Sequence, residues 1–600
     1  MGIKGIYKEI GPGRRESLAK LAVTTLEHEG RPLRIAIDIS IWQFQTQAAR
    51  GGANPAIRTL FYRLLRLLSL SIQPIFVFDG PNKPAFKRNK RSGRGDGLST
   101  AMAKRLLNLF GCLVHDAPGE AEAECALLQQ HGIVDAVLSE DVDTIMFGCT
   151  RTLRNWSAEG TKGSKAPTHV SIYETQDIAR IAPGLDREGM VLVALMSGGD
   201  YIPEGIPGAG IKLACEAAKA GFGTSLCRLK RADTSALTSW KEWLIYELRT
   251  NESGFFRVRH KALSIPEDFP NFDILRYYTH PVVSPQSVLE TLRQKRWQNP
   301  INVPGLREFS RETFDWDYRG GAFKFIRVLA PVLLVQRLMD RSGRPEESAS
   351  DVDTLATEEK QLVRAVSSRR AHFSTDATPE LRVSFIPTEI VGHAFEEEPE
   401  EVIESARDGL ALNSDDDVDA EDGDLEANSK AGGKKPFSPT EPDLAWIPET
   451  VAKLGIPLTV EDWEAAQRAK LSRKGQKVKT TTSKAGKAQA INNGAGSLDK
   501  FVRVTKPLPG GRETAKDSSV VPPGTQSTFV GNLAAQTYTP FSPTAARPSK
   551  SNIPPTSNYP NQRNRGGRTT LGLPGPPPPQ IPFSSIPARL PRLLRFRFPM

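Results

Sequence analysis

The chain has 600 residues, of which 38% are hydrophobic, with 46 prolines and 49 glycines, a balance that excludes a uniformly packed globule and predicts a core for part of the length and disorder for the rest. The formal charge is +10, which favours polyanionic partners, nucleic acid first, over a merely solvated basic surface. Five scattered cysteines with no C-x-x-C pair argue against a disulfide framework or zinc site, and no apolar run is long enough for a bilayer. With Ile6 where myristoylation needs Ser or Thr, and no secretory signal, a soluble intracellular protein with no membrane partner is expected.

Taken in order, Arg34–Asp38 reads as a short buried strand, 56–71 as a helix by its apolar spacing, Pro74–Phe78 as a strand, Thr100–Phe110 and Ala121–Gln130 as helices, and Ala136–Ser139 as a third strand. Strands alternating with helices predict an α/β fold, a parallel sheet flanked by helices, with function gathered at the carboxyl ends of the strands. Residues 231–345 read as helical and mixed, closing with a buried helix over Phe323–Leu338 that Pro331 should kink. Leu362–Phe373, a turn at Asp376–Pro379 and Leu381–Ile386 predict a small antiparallel sheet. Glu396–Glu426 holds roughly fifteen carboxylates against one arginine and is expected to be disordered, which leaves the remainder more basic than the total suggests. A helix is expected around Val460–Ala469, and after Lys470 a disordered basic tail.

Acidic residues stand at successive strand ends. Asp38 ends the first strand and Asp79 follows the second; Glu120 and Glu122 open a helix; Asp141 and Asp143 follow the third strand; Asp200 lies in Gly199-Asp200-Tyr201. A parallel sheet would bring them to one edge, where crowded carboxylates repel and titrate upward. A divalent cation removes that conflict, and all-oxygen ligation suits Mg²⁺ or Mn²⁺ rather than Zn²⁺. Two such ions about 4 Å apart suit phosphodiester hydrolysis. For any single acid the competing reading is a helix cap or turn residue. Residues two apart do not share a helix face, so Glu120 and Glu122 can act together only if Glu120 lies at or before the helix start; otherwise Glu120 and Glu124 share the face.

The series Met1-Gly2-Ile3-Lys4-Gly5-Ile6, Asp38, Phe78-Asp79-Gly80, Glu120-Ala121-Glu122-Ala123, Glu140-Asp141-Val142-Asp143 and Gly199-Asp200-Tyr201 resembles the flap-endonuclease/XPG nuclease superfamily over about residues 1–230. The resemblance implies that Asp38, Asp79, Glu120, Glu122, Asp141, Asp143 and Asp200 are catalytic metal ligands for two Mg²⁺ ions, replaceable by Mn²⁺, and that Gly2 is buried next to the scissile phosphate. It implies hydrolysis leaving a 5′-phosphate and a 3′-hydroxyl. The stretch between Asp79 and Glu120 is shorter than the arch of flap and exonuclease members, which favours the eukaryotic Holliday-junction resolvase (GEN/Yen) branch. So does the region after the nuclease core, which looks like a diverged chromodomain. Trp446 and Phe385 there read as core or DNA contacts more readily than as a methyl-lysine cage. The implied organisation is 1–98 and 99–230 for the two nuclease regions, 231–345 for their helical completion, 355–470 for the chromodomain-like part with its acidic insert at 394–430, and 471–600 for the tail.

Gly205, Gly208 and Gly210 make a tight turn whose amides can hold a phosphate without reading bases. By itself that is an ordinary interhelical turn; after Asp200 it is similar to the family's helix-two-turn-helix, with K⁺ bound there and Lys212 neutralising a phosphate. The basic stretch Pro81–Arg94 reads as a solvated loop, a nuclear signal or a phosphate-steering element. The resemblance assigns that steering to Lys87 as a catalytic residue, with Lys83, Arg88, Lys90, Arg91 and Arg94 as further DNA contacts. Partners are then branched DNA (four-way junctions, flaps and forks), bound by a monomer that pairs into a homodimer on junctions. Arg468–Lys487 reads as a nuclear signal or DNA-binding arm, so the nucleus is the expected compartment, with cell-cycle exchange with the cytoplasm. Ser438-Pro439, Thr539-Pro540 and Ser542-Pro543 read as proline-directed kinase sites. Competing readings are a 5′-flap endonuclease of the same superfamily, a non-catalytic branched-DNA or chromatin scaffold, and an RNA-cutting relative.

Overall fold

The structure, a computed structural model, describes residues 2–40, 42, 53–84, 86–87, 90–91, 97–159, 166–297, 299–342, 352–392, 398–400 and 437–482. The strands of its main sheet are β1 (Arg14–Ser17), β2 (Arg34–Asp38), β3 (Gln73–Phe78), β6 (Leu113–Asp116), β7 (Ala136–Leu138), β8 (Arg151–Ser157) and β9 (His169–Glu174). A separate two-stranded hairpin joins β4 (Phe86–Lys87) to β5 (Lys90–Arg91). The order in the main sheet is β1-β9-β8-β7-β2-β3-β6. β8, β7, β2, β3 and β6 run parallel, and β9 and β1 close one edge antiparallel.

The central strand β2 carries Ile35, Ala36 and Ile37 in succession, all buried. Both faces of a parallel sheet are covered, so a continuous apolar run is needed where a half-exposed strand would alternate. Ile35, Ile37, Phe76 and Phe78 enter the core on one face, and Ala36, Ile75 and Val77 the core on the other. In register, Asp38 stands opposite Val77 of β3, and Ile37 opposite Leu138 of β7. The carboxyl ends of the three strands are therefore level, and the residues that follow them share one edge.

Helix Ala121–Gln130 has the expected bounds. Strands β1, β6, β8 and β9 were not anticipated; most are short and polar or half-exposed, and the sheet rather than their pattern selects them. The buried helix spans Tyr318–Ser342 and keeps Pro331 inside it. Its apolar side packs into the same core as Leu381, Val383, Phe385 and Ile447 of a second, three-stranded antiparallel sheet. That sheet consists of β10 (Ala365–Ala371), β11 (Pro379–Phe385) and β12 (Asp443–Pro448). Its first two strands match the expected pair, and β12 is an addition. Arg382 pairs with Trp446, so alternation puts Trp446 on the face opposite Leu381, Val383 and Phe385. Phe385 is core, while Trp446 lies under the guanidiniums of Arg370 and Arg382, 4.2 and 5.7 Å from its ring centre. The two aromatics cannot form one cage.

The turn between β10 and β11 fastens this small sheet to the seven-stranded sheet. Asp376 sits in the left-handed region (φ 48°), which a short polar side chain tolerates. Its carboxylate accepts the Ser17 N–H at 2.7 Å and lies 3.0 Å from His169 Nε2.

Two expectations need correction. The terminal helix covers Pro457–Thr482 and so continues well past Lys470. The acidic run is not detached throughout: Glu398, Pro399 and Glu400 lie on the body of the protein. Glu398 takes both Nε and Nη2 of the buried Arg307 at 2.7 and 2.5 Å; Pro399 O accepts the Arg319 N–H; Glu400 pairs with the Arg319 guanidinium at 2.6 Å. The rest of that run, and residues 483–600, lie outside the described residues. Among the described residues no helix is long and apolar enough to cross a membrane.

Arg307 is 4% exposed, so removing its carboxylate partner strands a buried charge. Glu398→Ala is expected to cost about 3–5 kcal/mol of stability, read as a lowered thermal midpoint; an unchanged midpoint would show that this anchor is dispensable.

Candidate active site

The residues beyond β2, β3 and β7 turn their side chains into one space. Asp38, Asp141, Asp143 and Asp200 are each 1% exposed, and Glu120 and Glu122 are buried; Asp79 is more open at the rim. Each is fixed by its local chain. Ser40 donates its N–H and hydroxyl to Asp38 Oδ1 at 2.9 and 2.7 Å. Asp79 Oδ1 accepts the Ala121 N–H at 2.9 Å, tying the end of β3 to the start of helix Ala121–Gln130. The Asp143 N–H bonds Asp141 Oδ1 at 3.2 Å.

Glu120 is the N-cap of that helix, with extended backbone (φ −80°, ψ 136°). It thus lies before the helical rotation begins, and Glu122 in the first turn can face the same space. Glu124 does not join them. It is fully buried, with Oε1 2.8 Å from His115 Nε2 and Oε2 accepting the Ser284 N–H at 2.9 Å. Burial alone would raise its pKa, but His115 and Ser284 outweigh it and hold the carboxyl below its usual range. Glu140 likewise turns away, to the Asn155 N–H of β8 at 2.8 Å.

Two cationic or polar elements enter the cluster. Gly2 (φ 68°) donates its N–H to Asp200 Oδ1 at 3.1 Å, and a Cβ there would stand 2.3 Å from Asp143 Oδ1 and 2.5 Å from Asp141 Oδ1. Both the backbone conformation and the space require glycine. Lys87, on the β4–β5 hairpin, places Nζ 3.0 Å from Glu122 Oε2, 3.3 Å from Glu120 Oε1 and 3.2 Å from Asp200 Oδ2. Burial would lower the lysine's pKa, but Glu122, Glu120, Asp143 and Asp200 more than reverse this and hold the ammonium charged.

One ammonium does not balance the cluster. Burial first, and the Asp79 charge second, push Asp38 up to about 7. Burial, then Asp141 and Asp200, raise Asp143 far above its ordinary value. Burial likewise raises Glu122 and Asp141, with Lys87 opposing in both. Asp38 Oδ2 and both carboxylate oxygens of Asp143 are buried without a hydrogen-bond partner among the described residues. Orphaned anionic oxygens in an all-oxygen donor set fit hard divalent cations. As placed, no three acidic side chains among the described residues close around a single ion; Lys87 Nζ stands between three of them, and a cation entering here must displace it.

The structure thus brings together Gly2, Lys87, Asp38, Asp79, Glu120, Glu122, Asp141, Asp143 and Asp200. Lys83 pairs with Asp79 at 3.2 Å, at the rim. Lys90 and Arg91 form β5, with side chains that are not described; Arg88 and Arg94 lie outside the described residues. Gly205, Gly208 and Gly210 form a separate loop between helices Arg187–Ser197 and Ile211–Lys219. Gly205 and Gly208 have positive φ (56° and 88°), and Gly208, Gly210 and Lys212 are exposed. Sequence reasoning missed Ser40, His115 and Ser284 as supports. It also missed two tyrosines: Tyr201, whose hydroxyl donates to Glu120 Oε2, and Tyr278, whose ring lies 4.7 Å from that of Tyr201.

Comparison with known proteins is consistent along the chain. Residues 1–97 match the XPG N-terminal domain, 111–200 the XPG I-region, and 362–466 the Holliday junction resolvase Gen1 C-terminal domain. The human protein named Flap endonuclease GEN homolog 1 is 31% identical over 234 residues, 35% of this chain and only 25% of its own length. Two solved structures are similar over 78% of this chain and all of theirs. One, the eukaryotic junction-resolving enzyme GEN-1 binding with potassium, is 59% identical with a TM-score of 0.64. The other, the Holliday junction-resolving enzyme GEN1 in complex with product DNA, Mg²⁺ and Mn²⁺ ions, is 58% identical with a TM-score of 0.63.

The raised carboxyls fix the pH dependence of the metal-free protein. A carboxyl whose folded pKa is raised binds more protons folded than unfolded, so stability falls as pH rises from the ordinary carboxyl range to about 7, the Asp38 value. In chelator the thermal midpoint is expected to drop between about pH 5 and about pH 7; Mg²⁺ should flatten the slope, and Asp143→Asn should melt above wild type at the upper end. A midpoint that climbs over this window in chelator would contradict the assignment.

Proposed function

The chain belongs to the XPG nuclease family, in the branch of the junction-resolving GEN1 enzymes, and from that premise we propose that it is a Mg²⁺-dependent structure-specific DNA endonuclease. Its substrates are four-way junctions, resolved by paired symmetric nicks, together with 5′ flaps and replication forks. The observation that carries the reading is the convergence of Asp38, Asp79, Glu120, Glu122, Asp141, Asp143 and Asp200 on one sheet edge with Gly2 and Lys87 among them.

The carboxylates named would hold two Mg²⁺ ions, or Mn²⁺ in their place. When bound, such ions activate the attacking water and stabilise the leaving oxygen. The chain's own groups do the rest. Gly2 leaves the floor of the site free of side-chain bulk. Lys87 carries a charge that exchanges carboxylate for phosphate as the cluster becomes neutralised, which places the scissile group over the acids. Tyr201 keeps Glu120 turned inward through its hydroxyl. Gly208 and Gly210 present exposed backbone beyond Asp200, suited to a duplex phosphate contact without base readout, with K⁺ in the same loop and Lys212 beside it. A junction has two equivalent strands to cut, so two copies related by a two-fold axis act on it, from a monomer in solution. The compartment is the nucleus, supported by the basic stretch from Arg468.

The test is an end-labelled immobile four-way junction in Mg²⁺ beside a 5′-flap control. Paired symmetric nicks are expected, and Asp141→Asn should reduce them by about a thousandfold or more while junction binding persists. Flap cutting with the junction left intact would make the protein a flap endonuclease, and binding without any cutting would make it a scaffold. For the loop, Lys212→Ala should weaken binding alike on all junction sequences and lower the salt slope by about one; an unchanged slope would remove Lys212 from the interface.

A further inference from the structure

Part of the wall behind the acids is built from a helix far along the chain. Helix Phe272–Thr279 brings Tyr278, 1% exposed, against the motif that carries Asp200. Its hydroxyl lies over Gly199: a Cβ on that glycine would stand 2.6 Å from it. Burial first, and the Asp143 and Asp200 charges after it, hold its pKa far above the ordinary phenol value. Among the described residues the hydroxyl has no hydrogen-bond partner, and neither carboxylate oxygen of Asp143 has one.

Polar atoms buried this deeply are seldom left unpaired. A phenol can donate and an ionised carboxylate, the form that ligates a cation, can only accept, so the two orphaned groups are complementary. The hydroxyl is also held in place. Arg187 donates through Nη2 to the Tyr278 and Thr279 carbonyls at 3.3 and 3.2 Å, and through Nε to Met146 O at 3.0 Å. It thereby locks the end of the tyrosine's helix to the short helix Asp143–Met146 that begins with the acid. The ring packs on Tyr201, 4.7 Å away, and on Phe147, 6.4 Å away. Tyr201 already performs the corresponding service for Glu120.

We infer that Tyr278 is a positioning residue of the cation site: its hydroxyl donates through one bridging water to the Asp143 side of the cluster and sets that carboxylate for ligation. This rests on the nuclease reading above. Outer partners of metal ligands orient them, and removing one typically costs about ten- to a hundredfold in metal affinity.

Tyr278→Phe keeps the ring and deletes only the donor. With the full-length protein and Mn²⁺ as probe, calorimetric titration is expected to show affinity weakened about tenfold or more. Half-maximal junction cutting should need correspondingly more Mg²⁺, with activity recovering at saturation. The thermal midpoint in chelator and junction binding in Ca²⁺ should stay at wild-type values. Unchanged Mn²⁺ affinity would overturn the inference. So would a lowered midpoint with a cutting defect that extra Mg²⁺ does not rescue, since that outcome describes a packing role. Wild-type protein that binds Mn²⁺ yet cuts neither junction nor flap would instead fail the nuclease reading, and the Mn²⁺ comparison would still decide the role of Tyr278.

Discussion

Mutual repulsion among buried carboxylates is the constraint around which this protein is arranged. Four aspartates at 1% exposure and two buried glutamates share a space that no chain would collapse around without compensation, because desolvation and like charge act in the same direction. The compensation includes the Lys87 ammonium among Glu120, Glu122 and Asp200, the N–H groups of Gly2, Ser40 and Asp143 on Asp200, Asp38 and Asp141, and the hydroxyls of Ser40 and Tyr201 on Asp38 and Glu120. The raised carboxyls measure how far these fall short. Stability given up at the site has to be supplied elsewhere.

The fold supplies it through rigid elements that meet at the edge. The parallel strands align three acid-bearing ends in register, and the main-chain bond from Ala121 to Asp79 ties a helix start to a strand end. Glu124, on the same helix, is spent on His115 and Ser284 and fixes that helix against β6 and a distant loop. On the opposite face of the sheet, one continuous core joins the nuclease strands, helix Tyr318–Ser342 and the three-stranded sheet. The small sheet is therefore part of the same body, fastened also by Asp376 to Ser17 and His169. A support of that size lets the site edge carry unfavourable charge without opening.

Much of this was legible in the sequence, for a physical reason. Strands buried on both faces must be continuously apolar, so Arg34–Asp38 and Pro74–Phe78 stood out, and acids at their ends had no solvent-side explanation in common. The ambiguity over Glu120 was also stated by the sequence, since residues two apart diverge on a helix; only the N-cap geometry settles it. What escaped was whatever depends on tertiary partners. Strand β6 and the half-exposed β8 have weak patterns of their own. Glu398 looked like one more acid in a solvated run because its partner, Arg307, is remote in the chain. Tyr278 gave no signal, since an aromatic in a short amphipathic helix reads as core. Charge runs and tails were judged by composition, which overlooked the continuation of the last helix to Thr482.

The chemistry of this cluster fits paired divalent cations, with Lys87 giving way to them. Anomalous diffraction from crystals grown or soaked in Mn²⁺ addresses it most directly. Two Mn²⁺ peaks about 4 Å apart among Asp38, Asp79, Glu120, Glu122, Asp141, Asp143 and Asp200, with Lys87 Nζ moved out from between Glu120, Glu122 and Asp200, are the predicted result. Mn²⁺ found only outside the cluster, with the lysine still seated among the carboxylates, would contradict it.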